Sequence, residues 1–229
     1  MSPLYSSLSQ SFAVATTYPK IVTNGLVLNL DVGQQNSYSG SGTTWTDLSG
    51  NGNNGTLTNG PTYNSANGGS LTFDGSNEYV SKSNSSSLQF GEIFTVNSWI
   101  FATSLTDRRV IFSTRFNNPS GGWQLEVGIA NGGTGRIAVT GVNTWIWESA
   151  SNVITTNTWY NICYVKPNNA TQGGTIYLNG VQISPIVTTA YTISNNSDIK
   201  TIGFGQATQY FNGNIAQASI YNRALTAAE

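Results

Sequence analysis

Histidine is absent from the 229 residues, cysteine occurs once, and only 8% of positions are charged, about a third of the share usual in soluble domains. Without imidazole there is no Ser-His-Asp or Cys-His relay, no HExxH zinc motif and no histidine metal ligand. The lone Cys163 excludes a disulfide within the chain. Its thiol has no histidine to activate it, and in the run Tyr160-Asn161-Ile162-Cys163-Tyr164-Val165 it reads as a small buried hydrophobe. Nine basic side chains against 10 acidic ones give a net charge of −1. That leaves no electrostatic footprint for nucleic acid or an anionic membrane. No stretch approaches the ~20 apolar residues of a membrane span. The first 19 residues carry neither Lys nor Arg, nor an apolar core of signal-peptide length.

What fills the chain instead is small and polar. Asn (27), Ser (27), Thr (28) and Gly (25) make up nearly half of it, beside 38% hydrophobic and 11% aromatic residues that can build a core. Short runs with period-two alternation recur between Gly/Asn/Ser/Thr turns, and no long amphipathic helix is visible. Trp123-Gln124-Leu125-Glu126-Val127-Gly128-Ile129 is the clearest, and Leu26, Leu28 and Leu30 share a face opposite Val27, Asn29 and Asp31. Asn179-Gly180, between Tyr177-Leu178 and Val181-Gln182-Ile183, reads as a type I′ hairpin, since both residues tolerate positive φ. A dozen or more short strands without helices predict an antiparallel two-sheet β-sandwich or jelly roll. Residues 33–69 read as a long loop pinned by Tyr38, Trp45, Leu48, Leu57 and Tyr63, and Thr226 with Glu229 could form a capping box. Residues 1–19, with Leu4, Tyr5, Leu8 and Phe12, form an uncharged arm outside a domain spanning 20–229.

An ordered series of motifs then carries a resemblance. It runs from Gly25-Leu26-Val27-Leu28-Asn29-Leu30-Asp31 through Trp45-Thr46-Asp47-Leu48-Ser49-Gly50-Asn51-Gly52-Asn53 to Leu71-Thr72-Phe73-Asp74-Gly75. Phe94-Thr95-Val96-Asn97-Ser98-Trp99-Ile100, Trp159-Tyr160-Asn161-Ile162, Ile176-Tyr177-Leu178-Asn179-Gly180 and Ile220-Tyr221-Asn222-Arg223-Ala224-Leu225 follow. The series resembles the concanavalin A-like lectin/glucanase superfamily, in its laminin G-like jelly-roll branch, over about residues 20–229. The resemblance implies two curved antiparallel sheets that often bind glycans or proteins. The Trp45 to Val80 stretch is similar to virion proteins of tailed, particularly marine, phages.

The superfamily also holds glycosidases, whose catalytic strand resembles Glu-x-Asp-x-Glu. This chain has no such triplet; its acids stand singly, so hydrolysis is not expected. In the family turn, two adjacent acids match Asn77 and Glu78, with Asp74 upstream. These residues either hold a structural Ca²⁺ or leave Asp74 as a turn-former. Acids that family members place near the C-terminus are replaced by Ala216 and Gln217. Trp145 and Trp147, at i and i+2 and flanked by Asn143 and Glu148, form a glycan platform, a protein contact or part of the core. Trp45, Trp99 and Trp159 fall on family packing positions, and Arg108-Arg109 reads as a solvated turn.

The expected function is a non-enzymatic phage virion structural protein, a capsid decoration or fibre subunit. It would display the jelly roll for glycan or host-surface adhesion in a multi-copy or homo-oligomeric assembly, with the arm attached to other virion proteins. The alternative is a secreted carbohydrate-binding module of a larger bacterial surface or glycan-degrading protein. Either places the chain on a virion or outside the cell, with no nucleic acid bound and no membrane insertion.

Overall fold

The alternating runs become strands throughout the computed structural model, which describes residues 21–89, 91–116, 121–130, 132–167, 173–192 and 198–229. In chain order these are β1 (Leu26–Asp31), β2 (Thr44–Trp45), β3 (Gly55–Thr58), β4 (Thr62–Asn64), β5 (Ser70–Asp74), β6 (Tyr79–Lys82), β7 (Phe94–Ala102), β8 (Arg108–Ser113) and β9 (Gln124–Ala130). They continue with β10 (Gly133–Gly141), β11 (Thr144–Ser149), β12 (Trp159–Lys166), β13 (Thr175–Leu178), β14 (Val181–Ile183), β15 (Pro185–Thr188), β16 (Lys200–Ile202) and β17 (Asn212–Tyr221). All pairings are antiparallel. An eight-stranded sheet runs β14-β13-β12-β7-β17-β5-β4, with β1 also on β17. A nine-stranded sheet runs β15-β11-β10-β9-β8-β16-β6-β3-β2. Both expectations, all-β and a two-sheet sandwich, are met. The arm over residues 1–19, with Leu4, Tyr5, Leu8 and Phe12, lies outside the described residues.

Each sheet turns alternate side chains into a shared core. Phe94 and Tyr164 from the eight-stranded sheet meet Phe112 from the other around Trp123, whose ring stacks on Phe94 at 4.6 Å and lies 5.5 Å from Phe112. Residues 33–69 are not the single loop expected of them. They contain β2, β3 and β4, which at two to four residues are too short to show alternation. Trp45 is fully buried there, and Asp47 ties the segment to β1. One Asp47 carboxylate oxygen accepts from the Asn29 and Ser49 backbone N–H groups (2.8 and 2.9 Å), the other from Asn53 N–H (2.9 Å) and the Ser49 hydroxyl (2.8 Å).

A seam interrupts the eight-stranded sheet. The ten-residue β17 pairs along one side with β7 and along the other with two strands in turn, β5 over Asn212–Ile215 and β1 over Gln217–Tyr221. Ala216, at the junction, is an extra residue that shifts the β7 register. There the end of β1 and the start of β5 abut. A Cβ on Gly33 would come within 2.9 Å of the Gly68 carbonyl, and one on Gly69, at φ +107°, within 3.0 Å of the Val32 carbonyl. Only glycine allows so close an approach.

Candidate functional site

Trp145 and Trp147, read as a glycan platform, a protein contact or part of the core, are separated by a bulge. On β11, Trp147 pairs with Val139 of β10 and Trp145 with the next residue, Thr140, so Ile146 is extra. The bulge reverses the alternation: Trp147 enters the core, while Trp145 stays half-exposed on the outer face. There Arg108 lies over its ring, 5.3 Å from the centroid. Asn143 sits exposed at the β10–β11 turn with φ +51°. Glu148 is fully buried and ion-paired with Arg136 at 2.9 Å.

Register brings together acids that stand apart in sequence. Ala138 of β10 faces Glu126 of β9 on one side and Glu148 of β11 on the other. The two glutamates therefore share the outer face of the nine-stranded sheet, their backbones about 9–10 Å apart at the usual strand spacing. Both are sealed, at 1% and 0% exposure. Arg108, expected in a solvated turn, opens β8 and forks onto Glu126, donating to its two oxygens at 2.9 and 2.8 Å. Burial pushes the Glu126 carboxyl up, and the Arg108 guanidinium pulls it back. Gln124 adds a 2.6 Å hydrogen bond to the same carboxylate.

Asp74, Asn77 and Glu78 do form one turn. One Asp74 carboxylate oxygen accepts from the Ser76 and Asn77 N–H groups (2.7 and 3.3 Å), and Glu78 accepts from Asp74 N–H at 2.8 Å. Backbone donors thus engage both carboxylates, which is what a turn-former does. Among the described residues no group of three Asp, Glu, Cys or His side chains converges in metal-binding reach.

A concave site lies on the other sheet, at the seam. A cleft of about 330 Å³ is lined by Trp99, Trp159, Asp31, Asn67, Gln217 and Ala216, with Gly33, Gly68 and Gly69 along one wall. Trp99 was expected in the core, yet it is 41% exposed, and Trp159 is half-buried. The strand pattern carries the reason: in Phe94-Thr95-Val96-Asn97-Ser98-Trp99-Ile100-Phe101, Phe94, Val96 and Ile100 face inward, so Trp99 and Phe101 must face out. Register sets Trp99 between Gln217 and Asn161, and Phe101 beside Trp159, their rings 5.5 Å apart. Asp31 closes the opposite side, accepting Gly33 N–H at 3.0 Å, and burial raises its carboxyl above the ordinary aspartate value. Aromatic faces, amides and one carboxylate around a cavity of this size suit a hydroxyl-rich ligand.

Fold and site together define a jelly-roll β-sandwich with an aromatic-lined surface cleft. The Laminin_G_3 family model, described as Concanavalin A-like lectin/glucanases superfamily, matches residues 74–229. The chain belongs to that superfamily. No curated protein sequence matches it. Among solved structures it is similar to domain 4 of AbnA, a GH43 extracellular arabinanase from Geobacillus stearothermophilus, in complex with arabinotriose: TM-score 0.66, 17% identity, 89% of this chain and 95% of that one covered. It is also similar to the binding domain of Paraclostridial Mosquitocidal Protein 1 (TM-score 0.65, 19% identity, 90% and 51% covered). The binding domain of botulinum neurotoxin DC in complex with SialylT is a third (TM-score 0.62, 18% identity, 90% and 50% covered). The chain spans about half the length of the two toxin domains. At such identities the likeness is one of fold.

Proposed function

We propose that this chain is a non-catalytic glycan-adhesion domain that binds saccharides through the outer face of its eight-stranded sheet. The observation that carries this reading is the exposed Trp99, set with Phe101 and Trp159 among the side-chain amides of Asn161 and Gln217. Sugar rings stack their apolar faces on indoles, while amides and carboxylates bond the hydroxyls. The carboxylates of the other sheet do not support hydrolysis, because Glu126 and Glu148 are buried against arginines and a catalytic acid must reach its substrate. The full chain on a glycan array should retain at least one saccharide class, and the same saccharides should gain no reducing ends on incubation. An array blank across neutral and acidic glycans would overturn the reading.

The setting that fits the Trp45 to Val80 resemblance is a phage virion, with many copies displayed as capsid decoration or fibre and the arm of residues 1–19 as the attachment. Electron microscopy of particles with the chain labelled tests this directly. A second setting, a carbohydrate-binding module of a secreted enzyme, is favoured by the similarity to the arabinanase domain, which this chain covers almost entirely. Copurification with particles supports the first setting, and a neighbouring catalytic domain the second.

A further inference from the structure

We propose that the seam cleft is a subsite for an uncharged saccharide and turns away glycans bearing carboxylate or sulfate groups. This rests on the glycan-binding reading above and specifies which glycans the cleft takes. Trp99 and Trp159 supply apolar stacking surface on one side. Across from them Asp31, and around it Gln217 and Asn67, supply polar atoms. An ionised carboxylate is acceptor-only, so it takes hydroxyl hydrogens and has nothing to donate to an anionic sugar. Charge-assisted bonds from sugar hydroxyls to such an oxygen are short and strong.

No lysine or arginine lines the cleft among the described residues. The arginines at sequence positions 108, 115 and 136 are committed on the other sheet: Arg108 to Glu126, Arg136 to Glu148, and Arg115 to the Gly141 carbonyl at 2.7 Å. An acidic sugar in the cleft would therefore face Asp31 with no counter-charge, in a half-buried place where like charges repel more than in water. The room itself depends on Ala216, the extra residue of β17, which presents only a methyl beside Gln217. A larger side chain there would fill the cleft without removing any proposed contact.

The test is titration of the full chain, followed by calorimetry and tryptophan fluorescence, with maltotriose, cellotriose, xylotriose and arabinotriose against trigalacturonate and a sulfated galactan oligomer. At least one neutral trisaccharide should bind and shift the emission, with the acidic ligands at least tenfold weaker. Ala216→Phe should abolish that binding while the melting temperature stays near the parent's. Trp99→Ala, a change at an exposed ring, should weaken it at least tenfold even if the Phe variant folds poorly. Asp31→Asn should narrow the gap between neutral and acidic ligands. Acidic oligomers bound as tightly as neutral ones would overturn the selectivity. Neutral binding untouched by both Ala216→Phe and Trp99→Ala would remove the cleft yet leave glycan binding standing, whereas no binding by any ligand would remove both.

Discussion

Asp47 shows how much a single carboxylate can hold. Its two oxygens serve three backbone N–H groups and a hydroxyl, fastening the Trp45 to Asn53 segment onto β1. Removing the acceptor strands donors at the buried Asn29 and Asn53, and each such loss costs about 1–3 kcal/mol. Asp47→Ala should therefore destabilise by about 3 kcal/mol in denaturant titrations. A loss below about 0.5 kcal/mol would mean that water replaces the carboxylate. Glu126→Gln breaks a buried fork with Arg108 and should lower the melting temperature while leaving saccharide binding at the opposite sheet unchanged. Lys200 is a different case. Burial between the sheets lowers its ammonium to about 8, against the pull of Asp198. Between pH 8 and 10.5 the unfolded chain then carries the extra proton, so this group's contribution to stability rises with pH across that window. The Cys163 thiol, pushed up to about 12 by burial, works in the opposite sense above pH 9. Melting curves of the parent minus those of Lys200→Met isolate the rise, and a flat difference would refute it.

At the scale of the element, the readable features are those that repeat every second residue. Period-two alternation located β1 and β9 from sequence, and the Asn179-Gly180 turn is as expected, with φ of +51° and +78° joining β13 to β14. Replacing Gly180 with valine should cost about 1–2 kcal/mol for a β-branched residue held at positive φ, with strand content by circular dichroism unchanged. What escaped the sequence is register. A bulge has no residue signature of its own, so Ile146 reversed the faces of Trp145 and Trp147, and Ala216 opened a cleft at a seam that only long-range pairing creates. Glu126 and Glu148 likewise became neighbours through Ala138, across 22 residues of chain. Trp99 was legible in principle. Strict alternation in its strand turns it outward, against the packing role that the family resemblance implied.

For the whole molecule, the sandwich divides its labour between two outer faces. The nine-stranded sheet buries charge in arginine–glutamate pairs, and the eight-stranded sheet leaves indoles and amides open to solvent. With so few charged groups overall, the polar surface is made of hydroxyls and amides, the same chemistry as a glycan. The most direct test is affinity electrophoresis of the parent and Trp99→Ala in gels cast with a polysaccharide chosen from the array. The parent should be retarded and the variant should run as it does in a blank gel, with both melting at the same temperature. Equal retardation of the two would place glycan binding somewhere other than the outer face of the eight-stranded sheet.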